Sequence, residues 1–60
     1  MSFEIFRQTD NKWYWRFVTQ NNEVIAASLK GYDSKDDCLY SISIIKSFAF
    51  GAKIVEKVII

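Results

Sequence analysis

The chain predicts a small α+β fold, an antiparallel β-β-β-α-β unit with the helix packed on one face of the sheet, and three observations carry that expectation. The run KWYWRFVT at residues 12–19 alternates Trp13, Trp15 and Phe17 with Tyr14, Arg16 and Val18, and strand side chains point to opposite faces with period two. Beyond Ser34, residues Cys38, Ile42, Ile45 and Ala49 recur at i, i+4, i+7 and i+11, the spacing of a helix face laid on a sheet. Residues 53–60, KIVEKVII, are rich in β-branched residues and apolar on both sides, so they read as a strand that expects cover on both faces.

Each element has a local reason. Phe3, Ile5 and Arg7 alternate with Glu4 and Phe6, which suits a short first strand. Thr9, Asp10, Asn11 and Lys12 make a turn, since Asp and Asn tolerate left-handed backbone. After the aromatic strand, Asn21-Asn22 stands where hairpins favour Asn or Gly, and residues 23–28 return as a third strand. A two-residue loop places Ala26 opposite Phe17. A three-residue loop with a bulge places Ile25 there, and this register is favoured because it sets the larger side chain among the aromatics. Ser34 followed three residues on by Asp37 resembles a capping box with Asp in place of Glu, and Asp36 and Asp37 suit the positive end of a helix dipole. Gly51 is a natural stop.

Size limits what such a unit can do alone. At 60 residues the chain forms one domain, residues 1–60, and a domain of that length buries only about 60% of the surface its unfolded chain exposes. Small domains are stapled by disulfides, metals or self-association. Cys38 is the one cysteine and there is no histidine, so an intrachain disulfide is impossible and a zinc site lacks nearly all its usual ligands. No cofactor or metal is expected, and self-association is the remaining staple. The helix supports this: Tyr40, Ile44 and Phe48 form a second apolar stripe away from the core arc, and a helix apolar on two sides is usually buried on two sides.

Half the residues are apolar and a quarter charged, a composition of globular rather than disordered chains. Eight basic residues against seven acidic leave a net charge of +1, which withholds the broad attraction that nucleic acid or an anionic membrane needs. No apolar run approaches the roughly 20 residues of a membrane span, and no secretory leader is visible, so a cytoplasmic protein is the default expectation. There is also no Ser-His or Cys-His pair, no Gly-rich phosphate loop and no facing pair of carboxylates, so catalysis is not expected.

The run Trp15-Arg16-Phe17, the segment Glu23-Val24-Ile25-Ala26, Gly31-Tyr32 with Ser34-Lys35, and Ile42 with Ile45-Lys46 together resemble the YegP-like family, small bacterial proteins of unknown function. The likeness covers about residues 3–48. It implies a three-strand, helix, strand unit that occurs as a tandem repeat or as a dimer of single units, in which units share one sheet and exchange C-terminal strands; one unit implies the dimer. The chain departs from the family pattern at Asn22, where the family usually has Gly, at Tyr40, Ile44 and Phe48, where it more often has small or polar residues, and in its more apolar tail. These departures suggest that the outward helix face has acquired its own contact.

Candidate site residues fall into two groups. Tyr14 and Arg16, beside Phe6, offer a cation among aromatics on the sheet face away from the helix, a platform for a phosphate or a planar group, and single-stranded nucleic acid is the alternative ligand. Tyr32 and Lys35, with Ser34, flank the start of the helix, where backbone N–H groups accept anions. For interfaces the candidates are Tyr40, Ile44 and Phe48 on the helix and Ile54, Val55, Val58 and Ile59 on the last strand, facing a second copy or an unidentified protein partner. Trp13, Trp15 and Phe17 read as core beneath the helix rather than as a base-stacking platform, Cys38 as a small buried hydrophobe, and Asp33, Asp36 and Asp37 as solvated capping acids rather than a calcium loop.

Overall fold

Alternation in the N-terminal half builds a meander. A computed structural model, describing residues 1–59, has β1 (Ser2–Arg7), β2 (Trp13–Val18) and β3 (Val24–Ala27) in an antiparallel sheet of order β1-β2-β3, followed by α1 (Lys35–Phe48) and a short 3-10 turn, Ala49–Gly51. β1 pairs with β2 through Phe3↔Phe17, Ile5↔Trp15 and Arg7↔Trp13 on one face, and Glu4↔Arg16 and Phe6↔Tyr14 on the other. The first of these faces carries the helix. Trp15, Cys38 and Ile42 are buried together, with Phe3, Ile5, Trp13, Tyr32 and Ile45 packed around them. Phe3 meets Trp15 edge-on at 5.6 Å between ring centroids, a geometry the aromatic quadrupoles favour.

Both hairpin turns rest on an asparagine in left-handed backbone. Asn11 has φ 66° and Asn22 φ 64°. In the first, the Asn11 N–H donates to the Gln8 carbonyl and Gln8 N–H to the Lys12 carbonyl; in the second, Asn22 donates to Thr19 and Thr19 to Glu23. Each is a three-residue loop whose last residue is the left-handed one. The three-residue loop expected at Asn21-Asn22 is therefore present, but Ile25 does not sit opposite Phe17. Val18 pairs with Val24 while Phe17 pairs with Ala26, so Ile25 is the extra residue of a bulge inside β3 and is exposed. The bulge shifts the register by one within the strand itself, and Ala26, a methyl group, takes the place expected for the larger Ile25.

Past β3 the chain stays bonded to β2 without being a strand. Ser28 N–H donates to the Trp15 carbonyl and the Ser28 hydroxyl accepts from Trp15 N–H at 3.2 Å. Leu29 is wholly exposed. Tyr32 then returns to exchange two 2.8 Å backbone hydrogen bonds with Trp13. Its partner position places Tyr32 on the helix face.

The Ser34 hydroxyl caps α1 by accepting from Asp37 N–H at 3.1 Å, and Asp36 and Asp37 occupy the first turn, as the local sequence requires. At the other end, Gly51 closes the 3-10 turn without a left-handed conformation, so the helix tightens to its end rather than being stopped by glycine. The largest departure follows. Residues 52–59 form no strand, although residues 53–60 have strand composition; Ile60, the last residue of that expected strand, lies outside the described residues. Strand composition supplies side chains, but a strand also needs a neighbouring edge to bond, and the tail lies on neither edge of its own sheet.

Candidate functional site

On the sheet face away from the helix, β1 and β2 bring Glu4, Phe6, Tyr14 and Arg16 together. Phe6 and Tyr14 stack nearly parallel, 6.0 Å between centroids with planes 18° apart. The Arg16 guanidinium lies 5.4 Å from the Phe6 ring centroid and its Nε donates to Glu4 Oε1 at 2.7 Å. The Tyr14 hydroxyl donates to Asp10 Oδ2, whose other oxygen accepts from Lys12 N–H. That phenol holds the Asp10 carboxyl below its ordinary pKa, helped by the Lys12 amide. In return the carboxylate raises the pKa of Tyr14.

Tyr14 also leans on backbone. A Cβ built on Gly31 would stand 2.6 Å from Lys12 Cβ and 2.8 Å from both Cζ and the hydroxyl oxygen of Tyr14. The glycine is needed because the returning chain passes this close, not because of its φ. Next to it Lys12 Nζ meets Asp33 Oδ1 at 2.9 Å, which raises the lysine pKa and lowers the aspartate pKa through the shared hydrogen bond.

Tyr32 and Lys35 are on the helix side of the sheet. Tyr32 packs against the core with Lys30 Nζ 5.1 Å from its ring centroid, and Lys35 Nζ lies 5.9 Å from the Trp13 ring centroid. The Ser34 hydroxyl is engaged as the helix cap. The two candidate groups thus lie on opposite faces of the sheet, each already engaged with neighbours.

The interface candidates remain uncovered. Tyr40 and Phe48 are 67% and 70% exposed, with Ile44 at 42%. In the tail, Ile54 is 102% and Ile59 92% exposed, and Val55 and Val58 are also exposed. The helix lies along β2 and leaves an open cleft on either side. Toward β3, a cleft of about 290 Å³ is lined by Trp15, Phe17, Ala26, Ile45, Lys46 and Ala49, with Phe3. Toward β1, a larger one of about 650 Å³ lies among Phe3, Ile5, Leu39, Ile42, Lys46 and the first two residues. The β3-side cleft exists because Ala26 on the strand and Ala49 in the 3-10 turn are both too short to fill it. Ser28 and these clefts were not singled out from sequence, and Asp10 and Gly31 entered there only as a turn residue and a motif residue; Ala49 on the core arc was the available signal for the cleft. Among the described residues, no group of three His, Cys, Asp or Glu side chains is placed to hold a metal, and no helix is long and apolar enough to cross a membrane.

Residues 8–56 match the profile of a domain of unknown function, DUF1508. The chain belongs to this family. Relatives carry the name UPF0339 protein: one from Neisseria meningitidis serogroup B is 36% identical over 47 residues, covering 78% of this chain and 82% of the relative. Another from Treponema denticola is 39% identical over 54 residues, covering 90% and 91%. A solution NMR structure of a protein from Haloferax volcanii matches with a TM-score of 0.85 and 34% identity, covering 93% of each chain. The YegP-like resemblance seen in the motifs is thus one of family, and the three strands and helix are shared with a solved structure. The DUF1508 family is uncharacterised, and its description and the UPF0339 names carry no activity.

Proposed function

We propose that this DUF1508 chain works as a homodimeric binding or interaction module without catalytic activity, the two copies exchanging C-terminal strands into a shared sheet. One observation carries the reading: a tail of strand composition exposes Ile54, Val55, Val58 and Ile59, and among the described residues it leaves both edges of its own sheet unoccupied. Exposed apolar surface of this extent marks an interaction site, and an open edge is a template for another strand. An identical partner supplies both halves of the match twice, as two-fold symmetry requires. The stripe of Tyr40, Ile44 and Phe48 is continuous in sequence with Phe50 and the tail, and belongs to the same contact or to a further protein partner.

Single-stranded nucleic acid on the reverse face is the weaker alternative. Arg16 is paired with Glu4, and Tyr14 with an aspartate, so a phosphate would have to displace one carboxylate and sit near another. Size-exclusion chromatography with light scattering tests the main reading across a micromolar dilution series. A dimer mass that falls on dilution is expected. A folded monomer at every concentration overturns the proposal.

A further inference from the structure

We propose that the exchanged strand lies along β3 with Ile54, Glu56 and Val58 turned into the cleft beneath the end of α1, where Glu56 pairs with Lys46 of the other copy. This rests on the homodimer reading and deepens it. In an extended strand Ile54, Glu56 and Val58 share one face, while Lys53, Val55, Lys57 and Ile59 share the other. Among the described residues the cleft beside β3 is lined by Trp15, Phe17, Ala26, Ile45 and Ala49, with Phe3, and Lys46 is the one charged side chain in that lining. Among the described residues the ion pairs are Lys12–Asp33 and Arg16–Glu4; neither Lys46 nor Glu56 takes part in one. An apolar cleft with one cation fits a strand face with two aliphatic side chains and one carboxylate. The opposite tail face would bring Lys53 and Lys57 toward Lys46, and like charges brought together at an interface are strongly unfavourable.

The choice of edge follows from the same surface. β3 is the last strand of the sheet, and its residues Val24 and Ile25 are half exposed or more, on an edge that natural sheets usually blunt with charge or cover. Ala26 and Ala49 leave room under the helix for side chains arriving from a neighbouring strand.

Charge reversal separates exchange between copies from a tail folded onto its own chain. Lys46→Glu and Glu56→Lys are each expected to weaken the dimer roughly tenfold or more at low salt, since each places like charges together twice per dimer. In an equimolar mixture of the two variants, both pairs between chains are again of opposite sign, whereas any pair within a chain stays repulsive. Light scattering is therefore expected to show a dimer in the mixture at a concentration where each variant alone is monomeric, with circular dichroism checking that both are folded. A wild-type dimer with either single variant dimerising as well as wild type, or with no recovery on mixing, overturns the Lys46–Glu56 pair and leaves the homodimer standing. Recovery only in the double variant Lys46→Glu/Glu56→Lys assigns the pair within one chain and overturns exchange across this cleft. A wild-type chain that is monomeric throughout overturns the homodimer itself.

Discussion

Replacing Gly31 with alanine tests whether the close passage of the returning chain over β2 shapes the reverse face. The added methyl would meet Lys12 Cβ at 2.6 Å and the Tyr14 ring and hydroxyl at 2.8 Å. Tyr14 can swing aside only by giving up its hydrogen bond to Asp10 and its stack on Phe6. Lys12 Cβ cannot swing, because it is fixed to backbone beside the Trp13–Tyr32 pair of 2.8 Å hydrogen bonds. Overpacking of this kind costs about 1–3 kcal/mol. At a site with space, the same change stabilises by about 0.4–1 kcal/mol because it restricts the unfolded chain, so the sign of the effect is the result. Gly51 is the internal control: its added methyl meets nothing within 4 Å and its φ is not in the left-handed range. Urea unfolding followed by tryptophan fluorescence at fixed protein concentration should lower the midpoint for Gly31→Ala and raise it slightly for Gly51→Ala. In a domain of this size, each kcal/mol corresponds to about 4–8 °C in the thermal midpoint. A Gly31→Ala variant as stable as wild type, or more so, would refute the close-approach argument and with it the account of why Tyr14 is held in place.

Asn22→Ala should destabilise by about 1–2 kcal/mol through its left-handed φ of 64°, while Asn22→Gly should be neutral or stabilising; equal losses in the two melts would argue against backbone strain. Tyr14→Phe removes the hydrogen bond that contributes most to the lowered Asp10 pKa, so a carboxyl NMR titration should show that pKa rising toward the ordinary value. The sign for stability follows: a depressed folded-state pKa contributes stability above the ordinary carboxylate value, lost as pH falls through the folded value, so the variant should lose less stability on acidification than wild type. Ile54→Asp removes from each copy an aliphatic side chain worth about 1.5–3 kcal/mol when fully buried. Counted twice, this should raise the dimer dissociation constant by roughly two to four orders of magnitude in sedimentation velocity; an unchanged constant would exclude Ile54 from the interface.

The local chemistry was legible in the chain. Period-two alternation placed Trp13, Trp15 and Phe17 beneath the helix, and a helical period placed Cys38 and Ile42 against them, because both patterns depend only on residues a few positions apart. The Ser34 cap and the asparagines at the two turns are short-range in the same sense. The bulge at Ile25 was not legible, since its register depends on how β3 meets β2 and either loop satisfies the turn. Nor was the return of Tyr32 to pair with Trp13, which sets Tyr32 on the helix face, because that bridge joins residues far apart in the chain. Sequence by itself determined which segments want to be strand or helix and which faces are apolar. Tertiary structure decided which of those faces found cover, and left residues 52–59 outside the sheet, because a strand's hydrogen bonds and burial are supplied by a neighbour that the strand's own residues do not contain.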